Sequence, residues 1–567
     1  MVSKVVHATT FLGRVREGLP ERGDATAVTY LADGEEEGER RNYAEVDIAA
    51  RRVAASLQQS GVQQGDRVIL LESPGPNLVA GFLGCVYAGA IAVPAYPPSP
   101  FLGAVGVHRL RGIFRDAVPA AVLTSSSLVE SVRTPELDTL RLTWLATDAP
   151  LADAADYTHV DASPSDVVFL QYTSGSTSAP RGVRVTQAAL AAHIGMIEQT
   201  FNFDDDTVAA SWLPPFHDMG LIATLLTPLT VGFPVVQMTP ESFLRRPERW
   251  LRAITRYRVT FSPAPDFAYA LCVRRVRDHT DLNLSSWTIA ASGAEPVREQ
   301  TLAAFSAAFA DCGFAEGSFW SCYGLAEATL CVSAARRGIG KVLQVDAAAL
   351  GAGKLVESTG PGSKPLVACG TALPGTTVDV VDPDTYVPVA DGDVGEIRVG
   401  GPHVCDGYWN RPDLTATVFP DGRLMTGDLG VMRDGELFVT GRIKDLLIVR
   451  GRNLYPQDLE QTMETADPDL RPGRGVAVSV AGENRELLVL IQEPTTRTPD
   501  DPDRIIGNMQ RLVTEEHGVT PDVIVLIAPG TLPKTTSGKL QRSAAAKLFN
   551  DEQLRVVARW NAPGVTP

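Results

Sequence analysis

Tyr172-Thr-Ser-Gly-Ser-Thr-Ser-Ala-Pro-Arg-Gly182 follows directly on the apolar run Val167-Val-Phe-Leu170. A short apolar run bounded by turn-forming residues predicts a buried strand. The loop that leaves it carries four hydroxyl side chains, Thr173, Ser174, Ser176 and Thr177, together with Gly175, Arg181 and Gly182. Such a loop can turn successive backbone N–H groups and hydroxyls toward an anion, although Ser/Gly/Thr clusters are often plain surface connections. It is not a Walker A loop, because the Gly-Lys-Ser/Thr ending is missing.

Working outward, Val46, Ala49, Val53 and Leu57 recur at helical spacing, and Gly61 and Gly65-Asp66 close that helix before an extended Val68-Ile-Leu-Leu71. The same helix–turn–strand order runs through the first three hundred residues. It predicts βα units and largely parallel sheets, an α/β class. Pro94-Ala-Tyr-Pro-Pro-Ser-Pro100 is expected to be an irregular connection. After Gly370 the texture changes to short alternating segments, Val378-Asp-Val-Val381, Glu396-Ile-Arg-Val399 and Glu436-Leu-Phe-Val439, between Gly/Asp turns. These predict antiparallel strands. From Lys444 helices and strands mix again, so a boundary is placed at Gly441–Lys444, dividing 1–443 from 444–567.

The chain has 567 residues, more than a single ordinary core holds. Its 44% apolar and 21% charged content is that of a soluble globular protein. No run of eighteen apolar residues predicts a membrane span. Met1-Val-Ser-Lys-Val-Val-His7 lacks the apolar core of a signal peptide. Seven cysteines without a CxxC pair point to a reducing compartment and no structural zinc, hence to the cytoplasm. A net charge of −16 disfavours nucleic acid as a partner.

Four further segments support the first loop, in fixed order: Tyr323-Gly-Leu-Ala-Glu-Ala-Thr329, Thr426-Gly-Asp-Leu-Gly430, Gly441-Arg-Ile-Lys-Asp-Leu-Leu-Ile448 and Leu532-Pro-Lys-Thr-Thr-Ser-Gly-Lys-Leu-Gln-Arg542. Together they resemble the adenylate-forming superfamily of acyl-CoA synthetases, peptide-synthetase adenylation domains and luciferases, over nearly the whole chain. Ala90-Ile-Ala-Val-Pro-Ala-Tyr-Pro-Pro98, Ser211-Trp-Leu-Pro-Pro-Phe-His-Asp-Met-Gly-Leu-Ile222, Phe243-Leu-Arg-Arg-Pro-Glu-Arg-Trp-Leu251, Ser262-Pro-Ala-Pro-Asp-Phe-Ala268 and Ser292-Gly-Ala-Glu-Pro-Val297 look like the fatty acyl-AMP ligase subfamily. So does the Gly/Ala/Val-rich segment between Ala334 and Lys364, which matches the insertion that sets these ligases apart. The resemblance implies a large N-terminal domain of βα-layered sheets with a distorted antiparallel β subdomain. It also implies a small mobile α+β C-terminal domain, with the active site in the cleft between the two.

It further implies ATP-dependent activation of a medium- or long-chain fatty acid to its adenylate, with Mg²⁺, and transfer to an acyl carrier protein. A carboxylate attacking the α-phosphorus of ATP needs no general base, being ionised at neutral pH. The site must supply positive charge and positioning. By resemblance, Glu327 holds Mg²⁺ and Thr177 adds a hydroxyl to the phosphate or metal shell. Thr173, Ser174, Gly175, Ser176 and Arg181 line the phosphates, and Lys539 bridges the substrate carboxylate and α-phosphate. Ser292, Gly293, Ala294 and Glu295 form one wall of the adenine slot, with Tyr323 and Gly324 on the other. Asp428 accepts the ribose hydroxyls, and Arg442 reaches ribose or phosphate. His217, Asp218, Met219 and Gly220 stand where the family places the gate to the acyl tunnel, and Lys444 where it hinges.

Two departures from the superfamily loop stand out: Ser178 replaces a glycine and Arg181 a lysine, keeping the charge on a planar head. Gln187 stands where many relatives have histidine. The chain ends soon after Lys539 without a Gly-x-Asp-Ser phosphopantetheine site, so the carrier is expected to be a separate protein, serving polyketide, lipopeptide or lipid assembly. Two other readings stand beside this one, an acyl-CoA synthetase using coenzyme A and a silent nucleotide-binding scaffold.

Overall fold

The computed structural model describes residues 9–97, 103–132, 142–173, 180–336, 338–449, 452–482, 485–535, 539–563 and 565. It folds as two compact units. The first comprises Met1–Lys341, Ala368–Val378 and Arg398–Thr426, the second Val342–Val367, Asp379–Ile397 and Gly427–Pro567.

The first unit is α/β, as the periodicity requires. A six-stranded sheet orders Thr143–Ala146, Ala121–Thr124, Arg67–Leu71, Ile91–Pro94, Val167–Thr173 and Arg181–Thr186. Neighbours run parallel except the last pair, an antiparallel hairpin. Val68-Ile-Leu-Leu71 is buried throughout, as a strand covered on both faces must be. The helix Tyr43–Gln59 starts at a capping box, in which Asn42 and Glu45 satisfy each other's backbone N–H. It packs on the helix Pro76–Tyr87 at Gly84, where a Cβ would come 2.5 Å from the Val53 side chain. Of the proline-rich connection after Ile91–Pro94, residues 98–100 lie outside the described ones.

A second sheet orders Glu37–Asn42, Thr26–Leu31, Val235–Gln237 and Ala209–Ser211, and a third Ala290–Ser292, Phe319–Gly324, Cys331–Ala334 and Thr371–Ala372. Between them lies an aromatic core in which Trp250, Tyr269, Trp287, Phe305 and Phe319 meet mostly edge to face.

In the second unit, residues 428–433 of the strand Leu424–Arg433 pair antiparallel with Glu436–Arg442, which carries the predicted Glu436–Val439 segment. Residues 342–367, within which most of the expected insertion falls, form the antiparallel pair Val342–Asp346/Ser363–Val367 with the helix Ala347–Gly351 between. The C-terminal sheet orders Leu470–Ala481, Glu486–Pro494, Val523–Ile527 and Val556–Asn561. Helices Pro456–Thr465, Pro502–His517 and Arg542–Asn550 accompany it. No helix among the described residues is long and apolar enough to cross a membrane.

Candidate active site

The decisive loop connects two antiparallel strands in register, Tyr172 opposite Gly182 and Thr173 opposite Arg181. Ser174, Gly175, Ser176 and Thr177 lie outside the described residues. Gly182 is required by packing, since a Cβ there would stand 3.1 Å from the Tyr172 ring. The Tyr172 hydroxyl donates to Asp116 at 2.7 Å.

Glu327 sits in the single turn Ala326–Ala328, just beyond the strand Phe319–Gly324. The turn is tight: a Cβ on Gly324 would meet the Leu330 carbonyl at 1.8 Å, and Thr329 takes φ 63°. Thr329 donates its hydroxyl to the His403 carbonyl at 2.6 Å, and the Cys405 N–H donates to the Glu327 carbonyl at 2.9 Å. The Tyr408 hydroxyl then donates to Glu327 Oε1 at 2.7 Å. Burial first, and the Glu327 charge second, push the Tyr408 phenol up, so it stays a neutral donor. The same segment is sewn to the hairpin Val167–Thr173/Arg181–Thr186: Trp409 N–H donates to the Gly182 carbonyl at 2.8 Å and Arg184 N–H to the Gly407 carbonyl at 3.0 Å. Glu327, Tyr408 and the hairpin bearing Thr173 and Arg181 are thus one stitched group. Tyr408 was not singled out from sequence.

Beneath that turn two buried imidazoles, His193 and His403, stack at 5.4 Å. His193 Nε2 accepts from the Cys331 N–H at 3.1 Å, fixing its proton on Nδ1. Burial holds His193 well below the ordinary histidine range and lowers His403 to about 4.

Ser292 and Ser321 pair across parallel strands, which brings Ser292–Glu295 and Tyr323–Gly324 to adjacent carboxyl ends, the edge where α/β sheets bind ligands. Gly293 passes close enough to the Cys322 carbonyl that a Cβ would stand 3.2 Å from it, and Ala294 takes φ 67°. Ser292 Oγ is buried without a hydrogen-bond partner among the described residues. Glu295 accepts from the Phe267 N–H at 3.1 Å, while Asp266 accepts from the Arg298 N–H at 3.0 Å and the Thr301 hydroxyl at 2.9 Å. The segment 295–298 is therefore held at both ends by the start of the helix Asp266–Arg275.

His217 lies in a turn closed by its N–H to the Pro214 carbonyl at 3.1 Å, and Asp218 caps the π-type helix Met219–Leu226 by accepting from the Met219 N–H at 2.7 Å. Gly220 leaves no room for a Cβ, which would fall 2.2 Å from the Pro214 carbonyl. π-turns concentrate at functional sites. Gln171, on the strand Val167–Thr173, donates to the Phe216 carbonyl at 2.7 Å, tying the segment that leads into His217–Gly220 to that strand. Tyr96 meets the Phe216 ring edge-on at 4.6 Å.

In the second unit Asp428 and Arg442 face each other across the hairpin, Nε to Oδ1 at 2.8 Å. Asp428 is buried while the Arg442 side chain is half exposed. The Gly427 N–H is held by Glu396 at 2.7 Å. Lys444 lies in the turn Ile443–Asp445, whose Asp445 accepts from Arg542 at 3.0 Å while Glu460 takes Arg542 at two oxygens, both 2.6 Å. Lys539 is exposed, and its N–H donates to the Thr535 hydroxyl at 3.0 Å.

Mg²⁺ is usually held by one or two carboxylates with substrate phosphates completing its shell. A single carboxylate, Glu327, pinned by Tyr408 on a segment sewn to the hairpin Val167–Thr173/Arg181–Thr186, fits that ion.

Residues 15–409 match the family described as AMP-binding enzyme, and residues 444–559 match the Disco-interacting protein 2-like, AMP domain. The medium-chain-fatty-acid–[acyl-carrier-protein] ligase JamA of Moorena producens is 40% identical over 559 residues, covering 94% of each chain. The long-chain-fatty-acid–AMP ligase FadD26 of Mycobacterium tuberculosis is 36% identical, over 95% of this chain and 97% of its own. The crystal structure of the fatty acyl-adenylate ligase from Legionella pneumophila in complex with acyl adenylate and pyrophosphate is 37% identical, covers 98% of both chains and superposes with a TM-score of 0.76.

Proposed function

The chain belongs to the AMP-binding enzyme family of adenylate-forming proteins, in its fatty acyl-AMP ligase branch, and from that premise we propose that it activates a medium- or long-chain fatty acid with ATP and passes the acyl group to an acyl carrier protein. The observation that carries the reading is the Glu327 carboxylate, pinned by Tyr408 on a segment sewn to the phosphate-loop hairpin.

A fatty carboxylate oxygen attacks the α-phosphorus, the bond from that phosphorus to the β-bridging oxygen breaks, and pyrophosphate leaves. The sulfur of a phosphopantetheine arm, its thiol proton lost to solvent, then attacks the acyl carbonyl carbon, the bond from that carbon to the phosphate oxygen breaks, and AMP leaves with the bonding pair. When bound, Mg²⁺ supplies charge that offsets the repulsion between the two reacting anions. Glu327 holds the place for it, with Thr177 adding a hydroxyl. Arg181 and the loop hydroxyls orient the phosphates. Lys539 brings a mobile positive charge to the carboxylate and α-phosphate. Ser292, Gly293, Ala294, Glu295, Tyr323 and Gly324 receive the adenine, and Asp428 takes the ribose with Arg442 as its charged neighbour. The His217–Gly220 turn gates the acyl chain. Lys444 is the hinge between a domain of residues 1–443 and a lid of residues 444–567. All seven cysteines are free thiols, which suits a reducing cytoplasm.

The preference for a carrier over coenzyme A is supported by the insertion's grip on the segment that follows the hinge. Lys364 pairs with Asp458 and lies over the Tyr455 ring at 4.8 Å, and Asn453 donates to the Gly351 carbonyl at 3.2 Å.

The test is a mass-resolved endpoint assay with ATP, Mg²⁺ and fatty acids of graded length, with no acceptor, coenzyme A, or a phosphopantetheinylated carrier protein. Acyl-AMP is expected to accumulate alone and to be consumed by the carrier. Rapid acyl-CoA formation would make the chain an acyl-CoA synthetase, and no adenylate with any acid would leave a nucleotide-binding scaffold.

A further inference from the structure

The motif Leu532-Pro-Lys-Thr-Thr-Ser-Gly-Lys-Leu-Gln-Arg542 ends on an arginine to which the proposed chemistry gives no part. Around Lys539 the chain closes a narrow stem. On its incoming arm the Leu532 N–H donates to Glu493 Oε1 at 2.8 Å, and Glu493 is fully buried. Lys534 and Leu540 form an antiparallel bridge. The Gln541 N–H donates to the Pro533 carbonyl at 3.1 Å, and the Thr535 N–H to the Lys539 carbonyl at 2.8 Å. The outgoing arm carries Lys539 and runs directly into the helix Arg542–Asn550.

Arg542 grips two acids from different parts of the second unit. Its Nε and Nη2 meet the two oxygens of Glu460, on the helix Pro456–Thr465, at 2.6 Å each. Glu460 is buried and also accepts from the Ala477 N–H, on the strand Leu470–Ala481, at 3.2 Å. The remaining Nη1 donates to Asp445 Oδ2 at 3.0 Å, from 97 residues earlier. The Glu460 pair has a structural account, since a buried carboxylate needs a partner and a bidentate one fastens the two helices together. The Asp445 bond has none. The side chains of Arg542 and Asp445 are 23% and 20% exposed, so water could satisfy Asp445, and a partly exposed pair adds little stability. The turn Ile443–Asp445 buries no residue, and the chain rejoins the core only at Leu447.

What the bond does set is position. Asp445 directly follows Lys444, the proposed hinge, and Arg542 closes the stem that carries Lys539. The two bonds to Glu460 fix the guanidinium plane, and a planar fork held at one edge points its third donor in one direction. Asp445 takes that donor. The far side of the hinge turn and the lysine stem are therefore clamped to one guanidinium. A lysine at 542 would supply a point charge without that geometry.

We infer that Asp445 and Arg542 are positioning residues that couple the hinge to the catalytic lysine, so that a rotation at Lys444 carries Lys539 to the reacting atoms without slack. The inference rests on the reading above, in which Lys539 supplies the bridging charge and Lys444 is the hinge.

The test measures the single-turnover rate of acyl-AMP formation by the full chain, with Mg²⁺ present and ATP and dodecanoate each varied to saturation. Where the wild type prefers another length, the fatty acid it activates fastest replaces dodecanoate. Asp445→Ala removes the tie and leaves the Arg542–Glu460 pair. It is expected to lower the saturating rate by about ten- to a hundredfold, the cost of a displacement of about 1 Å at a reacting group. Half-saturating ATP and acid should stay within about threefold of wild type, and the melting temperature within about two degrees. Arg542→Lys keeps a charge for Glu460 and should lose a similar factor, and the two changes together no more than the larger one alone. The deciding comparison is made in a Lys539→Ala background, where Asp445→Ala should cost less than about twofold, because a residue that acts through Lys539 has nothing left to position. A merely structural tie would cost the same factor in both backgrounds, and that result overturns the inference. An unchanged saturating rate in Asp445→Ala overturns it too, and both outcomes leave the reading of Lys539 intact. A Lys539→Ala chain that forms acyl-AMP at the wild-type rate defeats that reading itself, and the inference falls with it.

Discussion

A carboxylate that is to hold a dication must keep one direction, and a lone glutamate in a turn does not do so unaided. Glu327 gains that direction from Tyr408, whose hydroxyl fixes Oε1 at 2.7 Å while the phenol itself is kept protonated by burial. Replacing Tyr408 by Phe removes a hydrogen bond to a charged group, worth about 1.5–3 kcal/mol. We expect kcat/KM for adenylation to fall by roughly ten- to a hundredfold and the Mg²⁺ concentration at half-maximal nucleotide binding to rise, with little change in melting temperature. Magnesium titration of ATP binding by calorimetry checks this, and an unmoved Mg²⁺ requirement would assign Tyr408 to packing alone. Glu327 was legible because its motif sits at fixed order among others. Tyr408 was not, because its partner lies 81 residues away and the segment around it has no phosphate-binding composition. Hydroxyl-to-carboxylate bonds across such separations leave no periodic trace.

Elements were more legible than their partners. Alternation marked the strands Gly395–Gly400 and Glu436–Arg442, and helical spacing marked Tyr43–Gln59, because burial of one face repeats along the chain. The insertion was legible only as a composition. Its folding into a hairpin and helix depends on what it packs against, and the contacts that use it come from single residues: Lys364 on Asp458 and Tyr455, and Gly351 on Asn453. A Cβ on Gly351 would stand 2.6 Å from the Asn453 carbonyl, so that approach demands glycine. If these contacts restrain the lid from the rotation that coenzyme A requires, Lys364→Ala combined with a shortened 347–361 segment should raise acyl-CoA formation several-fold. Acyl-AMP formation should be unchanged. The mass-resolved assay reads both, and an unaltered acceptor preference would strip the insertion of that role.

At the scale of the whole molecule, stability against pH is bounded from both sides by groups buried in the first unit. The α/β class was evident from repeating helix and strand periods, but which polar groups those layers would enclose was not. Glu72, just past the strand Arg67–Leu71, is covered by Thr147 from 75 residues on. His193 and His403 are held neutral when folded, so the stability they lend is present above the unfolded value of about 6.5 and is lost as pH falls through about 4. Buried acids act in the opposite sense. Burial raises Glu72 to about 7, with Asp148 adding to the rise and the Thr147 hydroxyl opposing it, and raises Asp266 to about 6. Their contribution is fully present below about pH 4, the ordinary carboxylate range, and is lost as pH rises through these folded values. Glu72→Gln keeps an acceptor for Thr147 and never ionises. Its melting temperature should match wild type near pH 4 and exceed it increasingly up to pH 8, where the gap should reach a few degrees, on the order of 1–3 kcal/mol. Thermal scans from pH 4 to 8 decide it: a gap that does not grow with pH would mean that Glu72 is ionised and satisfied in the fold, with its burial compensated by partners other than Thr147.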